Sequence, residues 1–340
     1  MHPLSATLRM RAVTVTILLV LLSLASLVAA GMIGSVSIPL ADMPGALREL
    51  ANGQPSSLPG HLLGLRAERA ATAFVTGASL SLAGLMMQAL LRNPLADPYV
   101  LGISSGASVG ALGALLFMCA AWMVDAAAFA GAVIVSTMLY ALARRDLRGG
   151  TAAEGGTAQL LLTGQVLSAG CIALVTLMLS IAPESRLRTM VFWLIGDLSG
   201  SPLRWTPWVV LAAVLVFALR AARSLNVMAL HAEAAATLGV RVGALRKGLF
   251  FCSGLLTASA VTTAGSIGFI GLIVPHACRF AFGPDHRLLV PSATLMGGSY
   301  LVLADTVART AIAPQQLPAG VVTALVGTPV FLYQLHRLRK

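Results

Sequence analysis

The sequence predicts an all-α, polytopic membrane protein, and three observations carry that prediction. Hydrophobic residues make up 57% of the 340-residue chain and charged ones 10%, with a mean hydropathy of +0.87; soluble domains carry about 25% charged residues to coat their surface. Apolar runs of roughly 20 residues, enough to cross a hydrocarbon core of about 30 Å as a helix, recur from end to end. Lys and Arg gather in alternate connections between those runs. The same composition excludes a disordered chain. It also excludes an ordinary nucleic-acid-binding module, because the net charge of +11 is spread in twos and threes with no long basic run.

Ten spans are expected, at 12–34, 70–91, 99–121, 124–143, 158–182, 206–222, 248–266, 267–283, 288–309 and 318–335. The first follows Arg9 and Arg11 and has a longer apolar run than a secretory signal core, so a retained signal-anchor is expected. In the second, Ala73, Gly77 and Ser81 recur every four residues, and Gly102, Gly106 and Gly110 do so in the third. Small residues at that spacing let helix backbones approach closely in lipid. The 33 glycines and 16 prolines, many inside spans, predict broken or kinked helices, which are tolerated only against protein or a water-filled path. The longest polar connections are 35–62 and 183–205. The four cysteines lie far apart in apolar stretches and read as small buried hydrophobes, with no metal-ligand spacing.

If the N-terminus is cytoplasmic, sixteen Lys and Arg residues fall on the inside and seven on the outside, which places both termini inside. Trp122, Trp193, Trp205 and Trp208 then sit at outer span ends, where amphipathic rings settle.

Catalysis finds little footing. There is no H-E-x-x-H, and a phosphate-binding loop needs a lysine that neither Lys247 nor Lys340 supplies in context. The chain is therefore expected to be no enzyme, to hydrolyse no nucleotide, and to hold no metal or cofactor of its own. Nor do the spans carry the mid-membrane acids usual in ion-driven carriers, so an ion-coupled secondary transporter is the lesser alternative. Asp305 precedes Arg309 by one helical turn and either pairs with it structurally or shares in docking. His276, after Pro275, is a proton site or a packing histidine; Thr163 and Gln165 line a polar path or bond neighbouring helices.

Two inside stretches stand out. Arg92-Asn93-Pro94-Leu95-Ala96-Asp97-Pro98 is a turn stiffened by two prolines. Leu230 to Gly239 is an alanine-rich helix former ended by glycine. Within it Glu233, Ala234, Ala235 and Gly239 match the E-A-A-x-x-x-G loop that importer permeases present to an ATPase.

From about residue 10 to 338 the chain resembles the FecCD/BtuC-type permeases of ABC importers, which take up iron-siderophores, haem and vitamin B12. The resemblance is densest in Arg92 to Ala107, Gly265 to His276, Gly283 to Arg287 and Leu317 to Pro329. It implies a type II importer fold with residues 1–340 as a single transmembrane permease domain. It implies a homodimer in the bacterial inner (plasma) membrane, multi-pass, with two ATPase subunits that bind the ATP and Mg, a periplasmic substrate-binding protein, the lipid bilayer and no nucleic acid as partners. By the same resemblance Arg66, Arg69 and Arg309 dock the binding protein. The family usually reads Arg-Leu-Pro-Arg where this chain has Arg66-Ala67-Glu68-Arg69, so the docking surface is tuned differently. Asn93 and Leu95 match an inner gate, Thr157 a second gate position, and about 229–243 the coupling helices. The cargo implied is a metal chelate.

Overall fold

The computed structural model describes residues 3–53, 55–148, 153–200, 203–230 and 232–338, with the side chains of 3–11, 145–148, 153–157, 230, 232–234, 335 and 337–338 outside the description. Among the described residues there are thirteen α-helices and no strands. They are α1 (Pro3–Met32), α2 (Met43–Ala51), α3 (Leu58–Leu91), α4 (Ile103–Leu116), α5 (Ala121–Arg148), α6 (Ala153–Ile181), α7 (Glu184–Ile195), α8 (Thr206–Leu230), α9 (Ala232–Thr237), α10 (Val242–Ala264), α11 (Ile270–Phe282), α12 (His286–Thr310) and α13 (Ala319–Leu338), with a 3-10 turn at Pro98–Leu101. Six are long and apolar enough to cross a membrane, and α4, α11 and the Ala319–Gln334 stretch of α13 are shorter apolar helices. Every expected span falls on helix, but ten is an approximate count because several spans are realised unevenly.

The expected span 70–91 starts twelve residues earlier, at Leu58. Ser57 accepts the Gly60 N–H at 3.1 Å and Pro59 is pre-set for the first turn, so the polar segment before residue 70 joins the helix. At 34 residues α3 is about 51 Å long, and about 20 Å of it exceeds the hydrocarbon thickness. The span 99–121 is instead broken. Gly102, at φ +77, closes the 3-10 turn through its N–H to the Tyr99 carbonyl (3.0 Å) and opens α4. The span 267–283 is likewise only 13 helical residues, because Gly265 and Phe269 both take positive φ before α11 starts. Each long polar connection contains a helix, α2 in the first and α7 in the second.

The bundle is built around α3. From Val75 to Gln88 every α3 residue is buried, and α12, α10, α11, α1 and α8 all pack on it. Lipid is as apolar as leucine, so close backbone contact must hold such helices together. A Cβ on Gly77 would lie 2.3 Å from the Gly297 carbonyl oxygen of α12, and one on Gly84 1.9 Å from that of Gly271 in α11. The same geometry joins α4 to α5, where a Cβ on Gly106 would lie 2.6 Å from the Gly131 oxygen and one on Gly110 2.0 Å from that of Ala127. The small-residue spacing in both early spans is thus helix packing. By contrast α6 buries little of itself.

Candidate functional site

Arg66 and Arg92 lie 26 residues apart on one helix, which separates the two ends of the bundle by about 39 Å. At the first end the structure brings Arg66, Arg69 and Arg309 to one cavity, the last two paired with Asp305, which is 1% exposed. Arg69 Nε donates to both Asp305 oxygens at 3.0 Å, its Nη2 to Oδ1 at 2.8 Å, and its Nη1 to Gln316 Oε1 at 2.9 Å. Arg309 Nε is 3.6 Å from Oδ2, an ion pair rather than a hydrogen bond, and is the i,i+4 partner expected of Asp305.

The remaining donors serve α1. Arg309 Nη2 donates to the Ala30 carbonyl at 2.6 Å, and Arg66 Nη1 to those of Gly31 and Met32 at 3.2 and 3.1 Å. Arg66 Nη2 reaches the Val36 carbonyl. The last carbonyls of a helix have no intrahelical donor and carry its negative dipole end, so two guanidinium groups cap α1 there. Arg66 and Arg309 are buried, and Arg69 keeps 14% of its side chain exposed. All three line a cavity of about 480 Å³ with Glu68 on its wall. The Arg69–Asp305 bond spans 236 residues and has no signature in the sequence.

A second cavity at this end, about 700 Å³, opens between α5, α7 and the end of α10, with Asp125 paired to Arg204 at 2.5 Å and Arg188 over the Phe192 ring. Trp193 lines it, and Trp208 stacks on Phe74, while Trp122 and Trp205 are exposed at the same end of the bundle.

At the other end, the turn after α3 is fixed by its own polar groups. Arg92 takes the left-handed conformation (φ 50) that ends α3. Asn93 Oδ1 accepts the Leu95 N–H at 2.9 Å, and Asp97 caps the 3-10 turn through the Tyr99 N–H at 2.8 Å. Burial pushes the Asp97 carboxyl up to about 6, against the lowering effect of that N–H. Leu95 is 39% exposed and Asn93 is half-buried.

Gln165 is exposed on α6. At helical spacing Ala169, Ala173, Thr176 and Ser180, exposed too, fall within about 80° of it around the axis. Exposed Ile172 and Leu162 share this face, about 20° and 60° from Gln165, whereas Val166, Leu177 and Ile181 are exposed farther round the helix. The Thr176 and Ser180 hydroxyls donate to carbonyls one turn back, at 2.9 and 2.8 Å, so the group aimed outward is the Gln165 amide. Ser168 turns to α4 instead, its Oγ 2.7 Å from Ser105 Oγ. Thr157, at the start of α6, has a side chain outside the described residues.

In the α9 region the side chains of Glu233 and Ala234 also lie outside the described residues. Ala235 is fully buried within the chain, whereas Leu238 is 71% exposed. Gly239, at φ +83, ends the segment with its N–H on the Ala236 carbonyl (3.0 Å), followed by Val240 N–H on that of Ala235 (2.9 Å). Composition pointed to the alanines; the exposed apolar knob is Leu238.

Gln88 escaped sequence reading as well. Pro275 inside α11 lacks the N–H that would bond the Gly271 carbonyl, and Gln88 Nε2 donates there instead, at 3.4 Å, and to Leu272 at 3.2 Å. Arg279 Nη1 holds the amide in place at Oε1 (3.0 Å). His276 is buried with Nδ1 unbonded. Gly102-Ile103-Ser104-Ser105-Gly106 spells the G-x-S-x-G pattern of serine hydrolases, yet Ser104 Oγ lies 2.9 Å from Ser266 Oγ, a contact between α4 and the break before α11 with no histidine in it.

Among the described residues, six helices long and apolar enough to cross a membrane, packed around a buried centre, define a polytopic membrane protein. The pattern of the FecCD transport family matches residues 16–337, and the chain belongs to that family. It is 43% identical over 280 residues to the "Cobalamin import system permease protein BtuC" of Halobacterium salinarum, covering 80% of this chain and 72% of the relative. To the "Hemin transport system permease protein HmuU" of Yersinia pestis it is 37% identical over 334 residues, 95% of each. A solved structure described as an inward-facing conformation of a metal-chelate type ABC transporter superposes with a TM-score of 0.80 at 28% identity, covering 96% of this chain and 99% of that one.

Proposed function

We propose that this chain is the membrane-spanning permease of an ABC importer carrying a metal tetrapyrrole, cobalamin or haem, across a bacterial inner membrane. The observation that carries the reading is the exposed α6 stripe on which Gln165, Thr176 and Ser180 stand among alanines and Ile172. An amide facing hydrocarbon is costly, so this face belongs against a water-filled path or another protein. A second copy of the chain, with its own stripe opposite, encloses such a path between two identical walls. The relatives named for cobalamin and hemin support the cargo class.

Two separate ATPase subunits bind ATP and Mg and press on the α9 segment, where Leu238 and Gly239 face outward from the chain. Asn93 and Leu95 gate the path nearby, with Thr157 as a second gate position. A periplasmic binding protein docks over the cavity of Arg66, Arg69 and Arg309; the excess of Lys and Arg at the opposite connections supports that end as the outer one and both termini as inner. Asp305 and the α1 carbonyls already hold most of the guanidinium donors, so Arg69 is the arginine most open to a partner carboxylate.

Uptake by proteoliposomes containing the purified importer tests this. Labelled cyanocobalamin, hemin and a ferric siderophore are offered with and without ATP. ATP-dependent accumulation of one tetrapyrrole is the expected result. Accumulation of the siderophore alone overturns the cargo, and uptake driven by an ion gradient without ATP overturns the class in favour of a secondary carrier.

A further inference from the structure

α8 ends at Leu230 and α9 begins at Ala232, so the last turns of α8 are the stem on which the ATPase-facing segment stands. Two side-chain ties fasten this stem. Asn226 uses its whole amide. Nδ2 donates to Asp285 Oδ1 at 2.6 Å, while Oδ1 accepts the backbone N–H of His286 at 2.8 Å and faces His286 Nδ1 at 2.8 Å. Asp285 is itself the N-cap of α12, accepting the Arg287 N–H at 2.9 Å. Two residues beyond Asn226, the Met228 carbonyl accepts from Arg92 Nη2 at 3.0 Å, and Arg92 closes α3 and opens the 93–97 turn.

One short stretch of α8 is therefore bonded both to the gate turn and to the start of α12, the helix that carries Asp305 and Arg309 at its far end. Apolar contacts slide with little change in energy, whereas a hydrogen bond weakens steeply once its angle and distance are lost. A stem held by an amide engaged on both sides transmits displacement instead of absorbing it.

We propose that Asn226, with Arg92, is a positioning residue that carries movement of the ATPase-facing segment to the gate turn and to α12. This rests on the reading of α9 as the ATPase contact. The donor and acceptor at Asn226–Asp285 are distinguishable, and that makes the tie testable by exchange. Asn226→Asp places two carboxylates face to face and removes the donor. Combining it with Asp285→Asn restores one donor and one acceptor in reversed order, with the new amide turned so that its nitrogen meets position 226 and its oxygen takes over the Arg287 N–H that Asp285 Oδ1 accepts.

The complete complex with its ATPase subunits is placed in nanodiscs, with Cys119, Cys171, Cys252 and Cys278 replaced by alanine and Leu95→Cys carrying an environment-sensitive fluorophore. The expected results are an ATP-driven change in emission in this parent, a response about tenfold smaller in Asn226→Asp with ATPase subunits still bound and hydrolysing, and recovery in the double exchange. A full response in Asn226→Asp, or no recovery in an assembled double exchange, overturns the proposal. Should Asn226→Asp fail to assemble, Arg92→Gln cuts the Met228 tie alone, and a full response there overturns it equally. No response in the parent refutes the ATPase-coupled reading beneath it.

Discussion

Replacing Asp305 measures what the arginine cluster does before any partner arrives. The carboxylate is 2% exposed and holds Arg69 at 2.8 Å and Arg309 at 3.6 Å. With an effective dielectric of about 20, those separations correspond to roughly 6 and 5 kcal/mol of gross attraction. Desolvation of three buried ions takes back most of that, but it has already been incurred when one partner is deleted. The expected cost of Asp305→Ala is therefore about 3–5 kcal/mol, the range for leaving buried charges uncompensated. Asp305→Asn keeps an acceptor for Arg69 and should fall at the lower end. The assay is equilibrium unfolding in mixed micelles followed by helical circular dichroism. Combining Asp305→Leu with Arg69→Met and Arg309→Met should recover most of the loss, since an apolar set of similar volume needs no desolvation. A loss under about 1 kcal/mol for Asp305→Ala would refute the reasoning and leave the Arg69 guanidinium free for an external acid.

Three further outcomes are expected. Gly84→Leu should prevent monodisperse purification, because even a Cβ there would sit 1.9 Å from the Gly271 oxygen, while Gly170→Ala, with nothing within 4 Å, should stabilise α6 by about 0.5–1 kcal/mol; thermal melting in detergent separates the two. Asp97, with its carboxyl raised to about 6 by burial, binds its proton more tightly folded than unfolded, so its contribution is present below pH 4 and lost as pH rises through about 6. Asp97→Asn, which still caps Tyr99, should flatten that part of the pH–melting profile, and an unchanged slope would count against it. Leu238→Asp should leave melting unaltered and lower co-purification of the ATPase subunits about tenfold, as loss of an apolar anchor from an interface does.

The sequence by itself determined the class of molecule, because hydropathy, span length and charge asymmetry act on each segment alone. It determined where helices would pack closely, since Gly77, Gly106 and Gly110 need only their own spacing to leave a groove. It marked the Gly239 turn and brought Arg66, Arg69 and Arg309 to one end of the bundle, as membrane topology fixes which end a residue reaches. It did not determine what those residues touch. The pairing of Arg69 with Asp305, the repair of the Pro275 gap by Gln88, and the tie from Asn226 to Asp285 all join separate helices across their crossings. Likewise Ala235 is buried and Leu238 exposed because of how α9 leans on α8 and α10, which alanine content cannot express. Glycine and proline content predicted broken helices in general, but spans 99–121 and 267–283 read as continuous apolar runs, and only the tertiary structure located their breaks, where positive φ at Gly102, Gly265 and Phe269 turns the chain aside. Segment properties are local and additive along the chain; hydrogen-bond partners depend on the crossing angles of helices distant in sequence, and the bundle sets those as a whole.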